Sequence, residues 1–413
     1  MGWEGGGPAT ARASASAWAL SQRASIATRI GDEIPFALGV ASGIASFVGF
    51  GFLDRAIASV HWSDFSGFWA GAHALASGVN PYDRNLWPSF LAALDVQASA
   101  DNVFGYPAWV ALALVPFGFL PLELATAVWD VLGVVLATFA ARALVRRYLP
   151  RMPLAHSLAG FVLFGSPPAI VALYSGQWTF LLLAAGCALA LEFDARHGRR
   201  AALLAVGLLA KPHLAAFALW SYAVRARALS TPAFMPTLIG GLTAVPVASL
   251  LVIPNWWTAW LAAIPTARVP AAPDSAVLAG ALYQFLGPGG TVAGAIFVVA
   301  GVVLSLRVER SSDAWLPIWL ALSLAATPYS WIYDQLLLLV PIVLGAGALR
   351  RDSPRAALAV MTGGVVLIGP LNLLLYQLAV AIGRSTPNGV IPALVFAMLY
   401  FALRCHRRRH ARG

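Results

Sequence analysis

The amino-acid sequence predicts an all-α protein that crosses a membrane many times. Of its 413 residues, 60% are hydrophobic and only 11% are charged, and the mean hydropathy is +0.76. Apolar stretches follow one another along almost the whole chain, and one helical crossing of a bilayer needs about 20 such residues. Soluble globular domains carry about a quarter charged residues, so the composition excludes that class.

The positive charges predict the orientation of the chain. The formal net charge is +10, but the basic residues form short clusters between apolar stretches, which is typical of cytoplasmic loops. The clusters lie at 12–29, 146–151, 196–200, 225–227, 307–310, 350–355 and 404–412. Placing them on one face puts both termini in the cytoplasm and predicts membrane lipids, not nucleic acid, as partners. Cys187 and Cys405 lie in separate stretches, which argues against a disulfide framework.

Three segments are expected along the chain: a disordered cytoplasmic tail at 1–33, a transmembrane domain at 34–404 and a basic cytoplasmic tail at 405–413. The first span leads into a large outer loop at 54–105. In this loop apolar residues recur at helical spacing from Phe65 to Ala76, which predicts a helix lying along the membrane surface.

The remaining apolar stretches bring the prediction to about 10–12 transmembrane helices. The stretch 106–120 is short and contains prolines, so we expect a re-entrant segment. The stretches 154–173 and 178–191 predict a hairpin. Arginine clusters flank 201–224 on both sides, which predicts a broken helix pair that reverses at Lys211-Pro212-His213. Further spans are expected at 235–253, 292–306, 316–326, 336–349, 356–376 and 390–403, with a turn at 287–290.

Two positions suggest catalytic chemistry. Asp64 begins the loop helix, where a carboxylate could act as general base on an acceptor hydroxyl; the alternative is that it only caps the helix. Lys211 is the single lysine of the chain, and a lone ammonium at membrane depth indicates function. With His213 it could bind a phosphate; the alternative is a lysine whose amine reaches the membrane surface.

Polar and aromatic residues on the outer face form a third group. They are Gln177, Tyr329, Trp331, Tyr333 and Asp334. Such side chains suit a sugar pocket, because aromatic rings stack on sugars while amides and carboxylates bind the hydroxyls. Tryptophan and tyrosine also anchor helices at membrane interfaces, so both interpretations stay open. No nucleotide-binding glycine loop, serine-hydrolase elbow or paired histidine motif is present in the sequence.

The order of these motifs resembles glycosyltransferase family 87. The resemblance runs over about residues 36–345 and rests on the motif order rather than on any one residue. The motifs are Asp64 before an aromatic helix, Gly78-Val79-Asn80-Pro81-Tyr82, Tyr106-Pro107, Ser175-Gly176-Gln177, Leu209-Ala210-Lys211-Pro212 and Thr327-Pro328-Tyr329-Ser330-Trp331.

The resemblance implies a GT-C fold and transfer of a sugar, most commonly mannose, from a polyprenyl-phosphate carrier to a lipid or glycan acceptor of the cell envelope. It implies a place in the bacterial plasma membrane with the reaction on the extracytoplasmic face. Asp64 corresponds to the catalytic aspartate and Lys211 to the Lys-Pro of the broken helix, while Asn80 and Tyr82 shape the loop and Tyr106 joins the pocket. A histidine commonly follows Trp331; here Ile332, Tyr333 and Asp334 stand instead.

Single displacement from a phosphate leaving group predicts inversion and requires no cofactor, and we expect no metal since Lys211 can neutralise the phosphate. A secondary transporter of a small polar or anionic solute is the alternative, because transporters also have broken helices. A structural or assembly partner is a third possibility. The helix breaks do not recur in two matching halves, which favours the transferase.

Overall fold

A computed structural model describes residues 31–49, 63–96, 104–263, 275–383 and 387–410, and within these ranges the chain is helical without strands. Most of the predicted N-terminal tail, the end of the C-terminal tail and parts of the first outer loop lie outside the described residues. The helices of the first half are α1 (31–49), α2 (Asp64–Ala76), α3 (Trp87–Ala93), α4 (Ala108–Gly118), α5 (Leu122–Tyr148), α6 (Pro153–Gly165), α7 (Pro167–Ser175), α8 (Thr179–Asp194) and α9 (Gly198–Gly207). Those of the second half are α10 (Pro212–Ala228), α11 (Phe234–Val252), α12 (Trp256–Ala263), α13 (Leu278–Leu286), α14 (Pro288–Leu306), α15 (Trp315–Ala325), α16 (Leu339–Arg350), α17 (Pro354–Val366), α18 (Asn372–Ile382) and α19 (Ile391–His410).

The polytopic membrane architecture is confirmed. In the described part of the chain, 7 helical stretches are long and apolar enough to cross a bilayer. They are Leu122–Tyr148, Pro153–Ser175, Phe234–Val252, Pro288–Leu306, Ile332–Arg350, Pro354–Ala379 and Pro387–Cys405. Two shorter apolar helices, α4 and α15, accompany them. The short α4 begins directly after Pro107, contains Pro116 and ends at Gly118, and Pro121 precedes the first residue of α5.

The broken helix pair is also confirmed. α9 and α10 are joined by a 3₁₀ turn at Leu208–Ala210, after which Lys211 leaves the helical conformation. The chain returns to the side from which it entered, because the Arg196 guanidinium, before α9, donates to the Leu229 carbonyl, after α10, at 2.7 Å. Lys211 therefore lies at the apex of the pair.

Two local expectations differ from the structure. The predicted turn at 287–290 is confined to Gly287, which has a positive φ of 57°, and α14 begins at Pro288 because proline is well suited to the first turn of a helix. The predicted span 356–376 is interrupted by a π-helical turn at Leu367–Leu371, which contains Pro370.

The helix predicted in the first outer loop is present as α2. It is buried on most sides, including Phe65, Phe68 and Ala72, and it packs along α4. α4 and the aromatic rings around it therefore cover a face that periodicity alone would leave open, and the position of α2 along the membrane surface stays a prediction.

The arginine clusters meet at one end of the helix bundle, which we call the arginine end. Arg147, at the end of α5, pairs with Asp194, at the end of α8, at 2.6 Å. Arg225 of α10 and Arg351, after α16, both approach Asp313. Gln177 and Lys211, at the starts of α8 and α10, lie at the opposite end.

Candidate functional site

Asp64 is the first residue of α2, but it does not cap the helix. The cap is Ser63, whose hydroxyl accepts a hydrogen bond from the Ser66 backbone N–H at 3.3 Å. The Asp64 carboxylate instead accepts a hydrogen bond from the Gln177 side-chain amide at 2.5 Å. The capping interpretation of Asp64 is therefore wrong, and its side chain is directed to a residue 113 positions away.

Contacts between α2 and the α4–α5 turn hold Asp64 in place. The Trp69 indole donates to the Leu120 carbonyl at 2.9 Å, and a ring nitrogen of His73 lies 2.7 Å from the Gly118 carbonyl. A side chain at Gly118 would come within 2.6 Å of the Ala72 backbone. A glycine at this point therefore lets α2 and α4 lie in backbone contact.

Gln177 is positioned by the turn between α7 and α8. Gly176 closes α7 in the left-handed conformation, with φ of 60°, which favours glycine. The Gly176 carbonyl accepts a hydrogen bond from the Trp129 indole at 2.9 Å, and the Phe65 side chain packs against the glycine. The side-chain amide of Gln177, the next residue, thus reaches Asp64 from a turn that these contacts hold in place.

The environment of Asp64 is that of a carboxyl group in a recess. Its side chain is exposed, although protein atoms surround it closely enough that burial raises the pKa of the carboxyl group. The hydrogen bond from Gln177 and the charge of Lys211 lower this pKa, and the charge of Asp334 raises it. The effect of burial on the pKa is the largest of these, so Asp64 is a stronger base than an aspartate that water surrounds on all sides.

Lys211 is buried at the apex of the broken pair, not extended to the membrane surface. Its amine donates to the Asp334 carboxylate at 2.7 Å, with only 5% and 2% of the two side chains exposed, and it lies 4.4 Å from the centre of the Tyr333 ring. The Trp109 indole donates to the Leu209 carbonyl at 3.0 Å, which satisfies a backbone group freed by the break.

Asp334 is fully engaged by the protein. One oxygen accepts from Lys211, and the other accepts from the Trp331 backbone N–H at 3.0 Å. This second bond closes the first turn of the 3₁₀ segment Ile332–Leu338. The Trp331 side chain itself is partly exposed, at 39%.

His213 and Tyr329 form a stacked pair next to the ion pair. Their ring centres lie 4.0 Å apart with 22° between the planes. The Thr327 hydroxyl lies 3.3 Å from the His213 carbonyl and 2.9 Å from the Tyr329 carbonyl, which ties the two segments together. The imidazole Nε2 is buried and has no hydrogen-bond partner among the described residues.

Asn80 and Tyr82 are engaged in contacts within the loop that carries α2. The Asn80 side chain accepts from the Tyr82 backbone N–H at 3.0 Å, as in an Asx turn, and the buried Tyr82 hydroxyl donates to the Tyr106 carbonyl. Tyr106 in turn packs edge-on against Phe68, at 4.7 Å between ring centres. These contacts shape the loop around α2.

Trp109 and Trp129 support the site and are not suggested by the sequence analysis. Each donates its indole N–H to a carbonyl near a polar residue of the site. The Trp109 acceptor is Leu209, two residues before Lys211, and the Trp129 acceptor is Gly176, directly before Gln177. A tryptophan inside an apolar helix is the only sequence signal for either residue, and it is too common to be specific. Among the described residues, no group of three or more His, Cys, Asp or Glu side chains has the arrangement of a metal site.

A polytopic helical bundle with a recessed carboxylate, a buried lysine and aromatic rings defines a membrane protein with a polar site at one end of the helices. The family model of glycosyltransferase family 87 matches residues 104–328, more than half of the chain. The chain therefore belongs to glycosyltransferase family 87 and is a membrane glycosyltransferase. No curated protein and no solved structure gives a significant match.

Proposed function

We propose that the protein transfers a sugar, mannose in the first instance, from a polyprenyl-phosphate carrier to a hydroxyl of a lipid or glycan acceptor. The reaction takes place at the end of the bundle that carries Asp64, which the arginine distribution predicts to be extracytoplasmic. Asp64 is the general base, Lys211 and His213 bind the carrier phosphate, and no metal takes part. Family membership supports the transfer reaction and favours it over transport of a solute.

One observation carries the assignment of the base. The site holds two aspartates, and Asp334 uses both carboxylate oxygens in contacts to Lys211 and to the Trp331 backbone. Asp64 is exposed and accepts from Gln177 through one oxygen. A general base must reach the proton that it removes, and only Asp64 is open to an incoming hydroxyl.

The proposed reaction is a single displacement. Asp64 takes the proton of the acceptor hydroxyl as its oxygen attacks the anomeric carbon of the sugar. The bond between that carbon and the carrier phosphate breaks, and the phosphate leaves with the electron pair. Because attack and departure occur on opposite faces, the configuration at the anomeric carbon inverts.

Lys211 can assist departure while it remains paired. Its amine has three N–H donors, of which Asp334 takes one. Asp334 orients the amine in a site from which water is largely excluded, and in the proposed complex the remaining donors bind phosphate oxygens. The buried Nε2 of His213, two residues further along the chain, can supply a further donor when it carries the proton.

The test is transfer by the purified protein in proteoliposomes. Polyprenyl-phosphate mannose, polyprenyl-phosphate glucose and a nucleotide sugar are each supplied in radiolabelled form with a membrane lipid extract as acceptor. We expect label to move to an extractable glycolipid from the polyprenyl-phosphate mannose. Transfer from the nucleotide sugar alone contradicts the proposed carrier, and transfer from the glucose donor alone contradicts mannose.

A further inference from the structure

A cavity of about 320 Å³ opens at the arginine end of the bundle. It lies between the ends of α5, α8, α10 and α16 and the start of α15, and it is lined by residues such as Tyr148, Phe193 and Leu229. Gln177 and Lys211 lie at the opposite ends of α8 and α10, and 16 or 17 helical residues span about 25 Å. The cavity is therefore separate from the Asp64 site.

Positive charge dominates the lining. The charged residues of the cavity are Arg147, Arg196, Arg225, Arg350, Arg351, Asp194 and Asp313. Five guanidinium groups and two carboxylates leave a surplus of three positive charges among these residues. Four helices also end here, and each helix end contributes about half a negative charge. The surplus exceeds that contribution, so the cavity favours an anion.

The guanidinium groups are held by the protein. Arg147 is bound to Asp194 at 2.6 Å, and the buried Arg225 donates to the Ser312 carbonyl. Arg196 and Arg350 donate to main-chain carbonyls, those of Leu229 at 2.7 Å and Tyr148 at 3.2 Å. Groups oriented in this way lose little conformational freedom when an anion binds.

Part of the cavity wall is apolar. Phe193, Leu316 and Leu344 line it, and Gly347 brings α16 into close contact with Tyr148. Arginine pairs well with phosphate oxygens because its planar group presents two parallel donors. A basic rim beside an apolar wall, at the ends of membrane-spanning helices, suits a phosphate group that is attached to an apolar body.

We propose that this cavity binds the phosphate group of an anionic phospholipid and thereby joins the ends of the five helices. A free phosphate shares the same chemistry, and the experiment separates the two sources. The site takes no part in the proposed transfer reaction, so the test is independent of that proposal.

The test measures binding to the full chain in neutral detergent by native mass spectrometry. The probes are short-chain phosphatidylglycerol, short-chain phosphatidylcholine and inorganic phosphate. The variant R350Q/R351Q removes two charges from the rim, and R199Q/R200Q is the control, because these exposed arginines lie at the same end and do not line the cavity. Ser311→Glu adds a negative charge to the lining and leaves every arginine in place, so it carries the test if the double variant does not fold.

We expect phosphatidylglycerol to bind the wild type and the control R199Q/R200Q equally. It should bind R350Q/R351Q at least about tenfold more weakly because charge-assisted bonds are lost. It should bind Ser311→Glu at least about tenfold more weakly because the added carboxylate repels the phosphate. Phosphatidylcholine should bind less well, and added salt should weaken the binding of phosphatidylglycerol. Equal binding of inorganic phosphate supports an anion site and overturns the lipid as its ligand. Phosphatidylglycerol binding that is the same in the wild type and Ser311→Glu overturns the site.

Discussion

Asp64 and Asp334 carry the same functional group in different surroundings. Asp334 is buried, paired with Lys211 and accepts a hydrogen bond from the backbone N–H of Trp331. Asp64 is exposed in a recess and accepts from Gln177. The first arrangement joins distant segments of the fold, and the second leaves a carboxyl group accessible.

Replacing Asp64 by Asn tests the base. Because Ser63 caps α2, the variant should fold in normal yield while transfer falls by about 100-fold or more. The control Ser63→Ala should lower stability by about 1 kcal/mol and leave activity largely intact. Asp64→Asn with near-normal turnover in the proteoliposome assay contradicts the assignment.

The rate of transfer should depend on pH through the same carboxyl group. Burial raises the Asp64 pKa, and the base acts only when it is deprotonated, so activity should be lost as pH falls through this raised pKa. The hydrogen bond from Gln177 lowers the pKa. Gln177→Leu should therefore move the acidic limb of the pH–rate profile to higher pH. If the acidic limb lies at the same pH in the wild type and in Gln177→Leu, a group other than Asp64 controls the rate.

Lys211 and Asp334 should behave as a coupled pair. Lys211→Met leaves a buried carboxylate without its partner, which typically costs about 3–5 kcal/mol of stability. The double variant Lys211→Met with Asp334→Asn should recover much of that loss. Thermal unfolding of the two single variants and the double variant, read as a double-mutant cycle, measures the coupling.

The same double variant separates folding from donor binding. A non-hydrolysable polyprenyl-phosphate sugar analogue should bind it at least about tenfold more weakly than the wild type, because a charge-assisted bond to phosphate is absent. The single variant Lys211→Arg should bind the analogue with an affinity between those of the double variant and the wild type, since a planar guanidinium group does not replace a compact amine. If the folded double variant binds the analogue with wild-type affinity, the carrier phosphate does not bind at Lys211.

At the scale of elements, the contact between α2 and α4 decides where Asp64 lies. α4 is short, and Gly118 near its end permits backbone contact with Ala72. The indole of Trp69 and the imidazole of His73 bond to carbonyls of the same turn. The loop that carries Asp64 is thus attached to the bundle by several contacts.

Gly118→Ala should disturb this contact. The added methyl group would lie 2.6 Å from the Ala72 backbone, so α2 and α4 must shift apart, and we expect the shift to disturb the Asp64–Gln177 hydrogen bond. We expect a loss of about 1–3 kcal/mol of stability, as for overpacking, and a larger fall in activity than stability alone explains. Gly240→Ala is the matched control, because nothing lies within 4 Å of its added group. Equal activity in both variants argues against the contact as a determinant of the site.

At the scale of the whole molecule, the two ends of the bundle differ in chemistry. One end gathers arginines from the ends of α5, α8, α10 and α16, and the other holds Asp64, Gln177 and the Lys211–Asp334 pair. The positive-inside rule assigns the arginine end to the cytoplasm. This orientation is a prediction that labelling can test.

A reporter fused after Arg412 should be cytoplasmic, and a cysteine introduced at Asp95 should react with an impermeant reagent from outside the cell. Cys405 and Cys187 are the natural cysteines, and replacing both by alanine gives the background for labelling. Detection of both sites on the same side of the membrane contradicts the orientation and moves the proposed reaction to the other face.

Sequence patterns were sufficient for features that depend on local chemistry. Apolar stretches of membrane-spanning length predicted the helices, and arginines on both sides of 201–224 required the chain to reverse at Lys211. The hairpin of 154–173 and 178–191 likewise followed from two apolar stretches separated by a short turn. The roles of Asp64 and Lys211 in the reaction remain predictions.

Only the tertiary structure decided which polar groups are paired and which are open. Asp64 meets Gln177 across 113 residues, and Lys211 meets Asp334 across 123, and no local periodicity encodes either contact. The burial of α2 likewise depends on α4, whose approach requires Gly118. The sequence by itself determined the membrane class, the helices and the reversal, because hydrophobicity and charge act locally. Packing decided the rest, because a buried charge acquires its partner only when distant segments come together.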